Sequence, residues 1–314
     1  MNLAEQLQEL YQKFGELPGI SIELHKQLIA VAVDNKSAKA TIFLQGAQVA
    51  EYQQKGQQPL LWLSDQCDFK AGKSLRGGIP ICWPWFGNLE CNPEQVRSQF
   101  PADAPAHGFV RDREWNLDSI ELVDPSTTEL VLSLNVQPDG QWPFTARLQL
   151  KVTVAEQLRL EFTVTNRGDD RFSFTSALHT YFNISGIEAV SVSGLEGVRY
   201  LDTLNEWKAE TDETPVNVAG EVDRVYQNLD KPVRLSDSGF NRAIRLDSDN
   251  APDMVLWNPW QDKAKRLSHF ADDAYQKMIC LESAHVLDNL KTLEPDESFV
   301  MQLFVMQEGL AQQA

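Results

Sequence analysis

Two periodicities run along this chain. Leu3, Leu7, Leu10, Tyr11 and Phe14 recur at the spacing of one helical face before Gly15 and Pro18, and predict one short amphipathic helix. Beyond it the period falls to two. Between 145 and 154, Ala146, Leu148, Leu150, Val152 and Val154 alternate with Arg147, Gln149, Lys151 and Thr153. Between 158 and 165, Leu160, Phe162 and Val164 alternate with Arg159, Glu161, Thr163 and Thr165. Successive side chains on a strand point to opposite faces, so these segments predict two half-buried strands joined as a hairpin through 155–157. Comparable β-rich runs occur at 28–33, 40–52, 60–63, 130–136, 172–184, 189–194, 243–246, 254–257, 278–282 and 299–306.

So many short strands between clusters of Gly, Pro, Asn and Asp predict an all-β chain, a large antiparallel sandwich or barrel behind a short N-terminal helix. The absence of strand–helix alternation, of G-x-G-x-x-G and of a P-loop argues against a doubly wound nucleotide-binding fold. With no fixed-period repeat and no low-complexity linker, the expected division is a helix and lead-in over 1–18 and a single domain over 19–314. The polar stretch 205–223 reads as an excursion on the surface.

Charge narrows the partners. A net charge of -17 makes nucleic acid or an anionic membrane an unexpected partner. The window 70–113 nevertheless holds six basic residues against four acidic ones, a local +2 that leaves -19 for the rest. Cys67, Cys82, Cys91 and Cys280 show neither CxxC spacing nor nearby paired histidines, so free thiols are expected rather than a zinc site or a disulfide framework. The N-terminus lacks a basic region followed by an apolar one, and no stretch approaches ~18 uninterrupted apolar residues. A cytoplasmic monomer that takes a small-molecule substrate is the expectation.

The locally positive window contains the most unusual segment, LRGGIPICWPWFG at 75–87. Pro80 and Pro84 remove backbone donors, Gly77 and Gly78 admit special conformations, and a backbone so constrained is expected to be shaped around a ligand. Arg76 offers a planar fork for phosphate or carboxylate, while Trp83, Trp85 and Phe86, with Trp257 further along the chain, offer faces on which a sugar ring stacks. Strand alternation over 172–182 places His179 on a face with Thr175, Ala177 and Tyr181, as an acid–base candidate or as a histidine satisfied by Tyr181 or a backbone carbonyl. In MICLES at 278–283 the carboxyl group of Glu282 shares a face with Met278 and Cys280. It must be paired, for instance with an arginine, or be functional. His107 and Arg111 suggest an anion pocket shared with Arg76, against a surface pairing of Arg111 with Asp112 or Glu114. Asp223 beside Arg224 is the weakest of these signals, since such a pair is commonly solvated.

Six runs occur here in a characteristic order: LRGGIPICWPWFG at 75–87, PAHGFVR at 105–111, ALHTYF at 177–182, DRVY at 223–226, WNP at 257–259 and ICLE at 279–282. In this the chain resembles the hexose-6-phosphate mutarotases, or glucose-6-phosphate 1-epimerases, a branch of the aldose 1-epimerase superfamily, over roughly residues 20 to 310. The resemblance implies a galactose-mutarotase-like β-sandwich, no cofactor, no metal and a hexose phosphate as substrate. It implies that His179 and Glu282 are the catalytic histidine and glutamate and that Arg76, His107, Arg111 and Asp223 are substrate-binding positions. Some relatives carry Gln immediately before the histidine of the second run, where this chain has Ala106, so any contact made by that amide is lost or supplied elsewhere. Anomer exchange requires a base at the C1 hydroxyl and an acid at the ring oxygen. Glu282 and His179 are assigned these roles, on opposite sides of one ring. The alternatives are a mutarotase for unphosphorylated aldoses and a non-catalytic sugar-phosphate-binding module, which would have no use for a matched acid and base.

Overall fold

Strand Met278–His285 is buried at every position, and its alternate residues serve two different apolar clusters. Ile279 and Leu281 enter the large central core. On the other face Cys280 packs with Tyr181 and Trp257, and Ala284 with Ala177, Val225 and Val255. A strand buried on both sides reads as one apolar run, which is why 278–282 was visible in the sequence without alternation.

The computed structural model describes residues 2–140 and 142–310. Met1, Gln141 and residues 311–314, which include both ends of the division expected from the sequence, lie outside the described residues. Two eight-stranded antiparallel sheets dominate. The first runs in the order Lys208–Thr211, Arg199–Asp202, Val222–Tyr226, Asp253–Asn258, Met278–His285, Ser176–Leu178 and Ile81–Cys82, with Tyr181–Asn183 also paired to Met278–His285. The second runs Val190–Ser193, Val233–Asp237, Arg242–Asp249, Ser298–Gly309, Leu158–Asn166, Ala146–Val154, Thr127–Val136 and Asn116–Asp124. Leu178, Leu256 and Leu281 of the first sheet share the central core with Leu148, Leu160, Phe162 and Leu303 of the second. The result is a β-sandwich. A four-stranded antiparallel meander, from Ile20–His25 to Gln48–Gln54, adds Val31, Ile42 and Val49 to the same core.

The predicted hairpin forms with Val154 opposite Leu158, its residues alternating between buried and half-buried along Ala146–Val154. The helix spans Leu3–Phe14, started by an Asn2–Glu5 capping box and anchored through Leu10. The run 40–52 divides into Ala38–Phe43 and Gln48–Gln54, because Gly46 and Ala47 both take positive φ. The run 60–63 makes only isolated bridges, Leu61 to Phe182 and Leu63 to Gly77. The run 172–184 breaks into Phe172–Phe174, Ser176–Leu178 and Tyr181–Asn183. His179 therefore stands at a break between strands, its N–H donating to the Pro80 carbonyl at 2.9 Å. Strand Asn116–Asp124 escaped the sequence because, as a largely exposed edge, it carries little apolar pattern. The surface excursion at 205–223 contains the strand Lys208–Thr211. No described helix is long and apolar enough to cross a membrane.

Trp83 and Trp85 are fully buried: Trp83 packs on Trp142 with ring centres 4.7 Å apart, and Trp85 on Phe100 at 4.6 Å. Their rings are core and present no face to a ligand, because alternation through Ile81–Cys82 turns Ile81 and Trp83 inward and Cys82 outward. Against Trp83 lies Gly108, where a Cβ would meet the Trp83 carbonyl oxygen at 1.9 Å and where φ is +68°. Both constraints demand glycine. Gly108→Ala is expected to lower unfolding stability by at least ~2 kcal/mol, read as a lower urea midpoint at unchanged m-value. An unchanged midpoint would show that this close approach is dispensable.

Candidate active site

The outward face of the first sheet forms the floor of a cavity of about 490 Å³. Register explains which side chains reach it. Glu282 lies opposite Val255, Asp223 opposite Trp257, and Tyr181 opposite Cys280, so residues from four separate strands emerge on one face. His179, from the strand break, joins them. Arg76 and His107 complete the wall from the loops around 75–87 and 105–111.

His179 and Glu282 are in contact, with Nδ1 3.3 Å from Oε1. Both are buried, at 8% and 1% exposure. Among the described residues neither the His179 Nδ1 nor the Glu282 Oε2 has a hydrogen-bond partner, and no arginine pairs with the carboxyl group. Tyr181 stacks flat on the imidazole, 4.7 Å away and 6° from parallel, so it orients the ring without satisfying its nitrogen. Buried polar atoms are almost always paired, so an unpartnered atom on each of two touching side chains marks atoms kept for something else. Burial is the largest influence on both groups. It drives His179 well below the usual histidine range, helped by His107, Arg111 and Arg76, and drives Glu282 well above the usual carboxylate range, helped by Asp223. Burial thus disfavours the charged form of each partner and favours the neutral combination of carboxylic acid and imidazole.

His107 sits at φ +65°, with the Gly87 N–H donating to its Nδ1 at 3.3 Å and the Cys82 Sγ 3.4 Å from the same nitrogen. A backbone N–H only donates, so Nδ1 is an acceptor and the ring proton of the neutral imidazole is on Nε2. Burial and the charges of Arg111 and Arg76 push this histidine down to about 3, which keeps it neutral at working pH. Arg76 lines the cavity, hydrogen-bonds Tyr181 and donates to the Ser268 carbonyl oxygen at 3.5 Å. Arg111 does not line it; its guanidinium donates to the Ala106 carbonyl oxygen at 2.9 Å behind His107. Asp112 and Glu114 hydrogen-bond Ser74 and Gln6 rather than Arg111. Asp223 lines the cavity, held above the usual carboxylate range mainly by burial and opposed by Lys263 at 3.8 Å.

Five of the six candidates thus share one cavity, and the sixth is behind its wall. Two expectations change. The acid–base pair is side by side rather than on opposite edges of a sugar, since no ring fits in a 3.3 Å gap. Of the four aromatics considered for stacking, Trp83 and Trp85 do not line the cavity, whereas Phe86 and Trp257 do, joined by Trp207 from the polar excursion. Lys263 also went unnoticed. It follows the WNP run on the short helix Trp260–Ala264 and pairs with Glu221 at 3.1 Å, but a lone lysine on a short helix has no sequence signature.

A family model described as aldose 1-epimerase matches residues 30–303. An Escherichia coli K12 protein named "Putative glucose-6-phosphate 1-epimerase" is 32% identical over 289 residues, covering 91% of this chain and 92% of the relative. A Cenchrus ciliaris protein of the same name is 33% identical over 302 residues, covering 93% and 87%. Among solved structures, a Salmonella typhimurium "putative mutarotase" superposes with a TM-score of 0.84 at 28% identity, over 94% of this chain and 95% of that one. Galactose 1-epimerase from Lactobacillus acidophilus, at 15% identity, shares the fold with a TM-score of 0.70 over 92% and 98%.

The unpartnered carboxyl group has a consequence for stability. Folding raises the Glu282 pKa above its ordinary 4.5, so the folded state binds the extra proton and stability is lost as pH rises from about that value through the raised one. Glu282→Gln removes this loss. At pH 8 the variant is expected to unfold at the same or a higher temperature than the parent, with a flatter dependence of stability on pH. A destabilisation of more than ~1 kcal/mol that is equal at pH 5 and pH 8 would mean that the carboxyl group is instead a structural contact.

Proposed function

We propose, on the premise that this chain belongs to the aldose 1-epimerase family, that it interconverts the α and β anomers of hexose 6-phosphates of the glucose 6-phosphate type. The chain is an isomerase, a mutarotase of sugars. The observation that carries the assignment of its chemistry is the buried His179–Glu282 pair, both partners with an unsatisfied atom, on the floor of a cavity.

In the proposed cycle Glu282 removes the proton from the C1 hydroxyl while His179 delivers one to the ring oxygen. The C1–O5 bond breaks, the electron pair of the O1–H bond becomes the carbonyl π bond, and the open-chain aldehyde forms. After rotation about C1–C2 the transfers run backwards, and the ring closes on the other face of the carbonyl. The two oxygens involved are bonded to the same carbon, so a side-by-side acid and base suits them better than a pair separated by the sugar. Ring opening starts from carboxylate and imidazolium and ends with carboxylic acid and neutral imidazole. Burial favours that second combination, so in this cycle the empty site rests with the protonation that accompanies the open-chain intermediate. Raising the energy of the ion pair against the neutral pair drives proton transfer toward the sugar. His107, held neutral, offers its Nε2–H as a donor to a sugar hydroxyl, Asp223 offers an acceptor, and Trp257 and Phe86 offer apolar faces.

Support for a phosphorylated substrate comes from Arg76. Lys263 is occupied by Glu221 and Asp223, whereas Arg76 lines the cavity with no ion-pair partner among the described residues. An arginine so placed suits a phosphate. Arg111, committed to Ala106, would act behind it by charge. That commitment also favours a second reading, a mutarotase for unphosphorylated aldoses, because the anion clamp then rests on one arginine.

Magnetisation-exchange NMR between anomers of glucose 6-phosphate, glucose and galactose separates these readings. His179→Ala and Glu282→Gln are each expected to slow the catalysed exchange by at least ~100-fold, and the double variant no further than the slower single one. Exchange at the parent rate in both would remove the assigned pair. Arg76→Met is expected to raise KM for glucose 6-phosphate at least ~10-fold and to leave free glucose unaffected; equal parent activity on both sugars would establish the second reading.

The pH dependence follows from the proton count. A second proton inactivates the pair by adding to His179, whose affinity for it is lowered, so kcat should stay level through pH 6.5 and fall only in more acid solution. A half-loss of kcat at the ordinary histidine value of 6.5 would contradict the burial argument.

A further inference from the structure

Cys280 has no part in the proton transfers above, yet its position relative to them is unusual. Its thiol lies on the same strand face as Glu282, two residues away, and one ligating atom from each of His179, Cys280 and Glu282 lies within 4.8 Å of the others. All three residues are buried, and His179 Nδ1 and Glu282 Oε2 lack partners. Nitrogen, sulfur and carboxylate oxygen form a donor set suited to borderline-soft divalent cations, and three protein ligands leave a fourth position, which the cavity supplies.

We propose that His179, Cys280 and Glu282 form a three-ligand site for Zn²⁺, and that occupying it switches the enzyme off. The metal would take the imidazole nitrogen and the carboxylate oxygen that proton transfer needs, and on binding the thiol and the protonated carboxyl group would each release a proton to solvent. Closing the donors around one ion requires the widest separation to shrink by up to ~1.3 Å, since zinc–ligand bonds of ~2.0–2.3 Å set tetrahedral donors ~3.5 Å apart against the 4.8 Å within which these lie. His179 Nδ1 and Glu282 Oε1, at 3.3 Å, are already close enough. The ligand set stands on geometry alone; its inhibitory consequence rests on His179 and Glu282 being the acid–base pair. Cys280 itself stands outside the reaction, because it is not among the residues lining the cavity.

The test uses the full-length protein with Cys91→Ser as background, because Cys91 also lines the cavity and would offer a competing thiol. Zinc affinity is measured by competition with a chromogenic chelator, and Co²⁺ is added in parallel as a spectroscopic substitute. The expected result is one zinc per chain, a thiolate-to-cobalt charge-transfer band, and inhibition of anomer exchange that tracks occupancy. Cys280→Ser and Cys280→Ala should retain the basal exchange rate, lose the cobalt band and bind zinc at least ~10-fold more weakly. Retention of the band and of zinc affinity in both Cys280 variants would overturn the site, as would the absence of stoichiometric binding in the parent. Zinc bound through Cys280 by a protein without anomer exchange would sustain the site and sink the proposed function instead. Exchange that zinc inhibits equally with and without Cys280 would do the reverse.

Discussion

A carboxyl group taken out of water and set against an imidazole, with no arginine and no backbone donor among the described residues to stabilise its charge, is the constraint on which this molecule turns. Such a group has few stable options. Moving an isolated carboxylate into a low-dielectric interior costs several kcal/mol even after relaxation, so the group keeps a proton or finds a cation. Here its neighbour is a histidine whose own charged form is disfavoured by the same burial and by the nearby charges of Arg76 and Arg111. Two groups that each resist ionisation stand side by side, and in the proposed cycle one proton shared between them gives an acceptor and a donor at the same place and pH.

The scaffold makes that arrangement tolerable. Strand Met278–His285 is fixed by antiparallel neighbours on both sides and by apolar packing on both faces, so Glu282 cannot relax toward solvent without breaking the sheet. His179 is held differently. It occupies the gap where the sheet hands over from Ser176–Leu178 to Tyr181–Asn183, pinned through its own N–H to Pro80 and through its ring to Tyr181. The proline-rich run therefore serves the site less by offering aromatic faces than by positioning the backbone around it. Trp83 and Trp85 weld that run to the core, while Cys82 and Arg76 turn toward the cavity side.

Much of this was legible in the residues, and the failures have identifiable causes. The helix and the hairpin 146–166 were readable because one face of each is buried and the other is wet, which writes a period into the sequence. The strand Asn116–Asp124, nearly all exposed, writes none. Glu282 stood out because a carboxylate in an apolar strand violates a strong rule. His179 was found for a sound reason but placed on a continuous strand that is in fact interrupted, since no local residue between 172 and 184 is a glycine or proline that would announce the break. The distance between the two side chains was out of reach altogether, because it is set by register between strands about a hundred residues apart in the chain. Trp83 and Trp85 misled because an aromatic beside prolines looks the same whether it faces a ligand or a core; only the alternation through Ile81–Cys82 decides.

The central claim is that one proton rests on the pair and that in the empty site it resides on the carboxyl group. Infrared difference spectroscopy of the parent against Glu282→Gln, at neutral pH, reads this directly, with the ¹⁵N shifts of the His179 ring as the complementary signal. The account predicts a protonated-carboxyl stretch that the glutamine variant lacks, together with a neutral imidazole. A difference spectrum containing only carboxylate bands, with an imidazolium at His179, would contradict it.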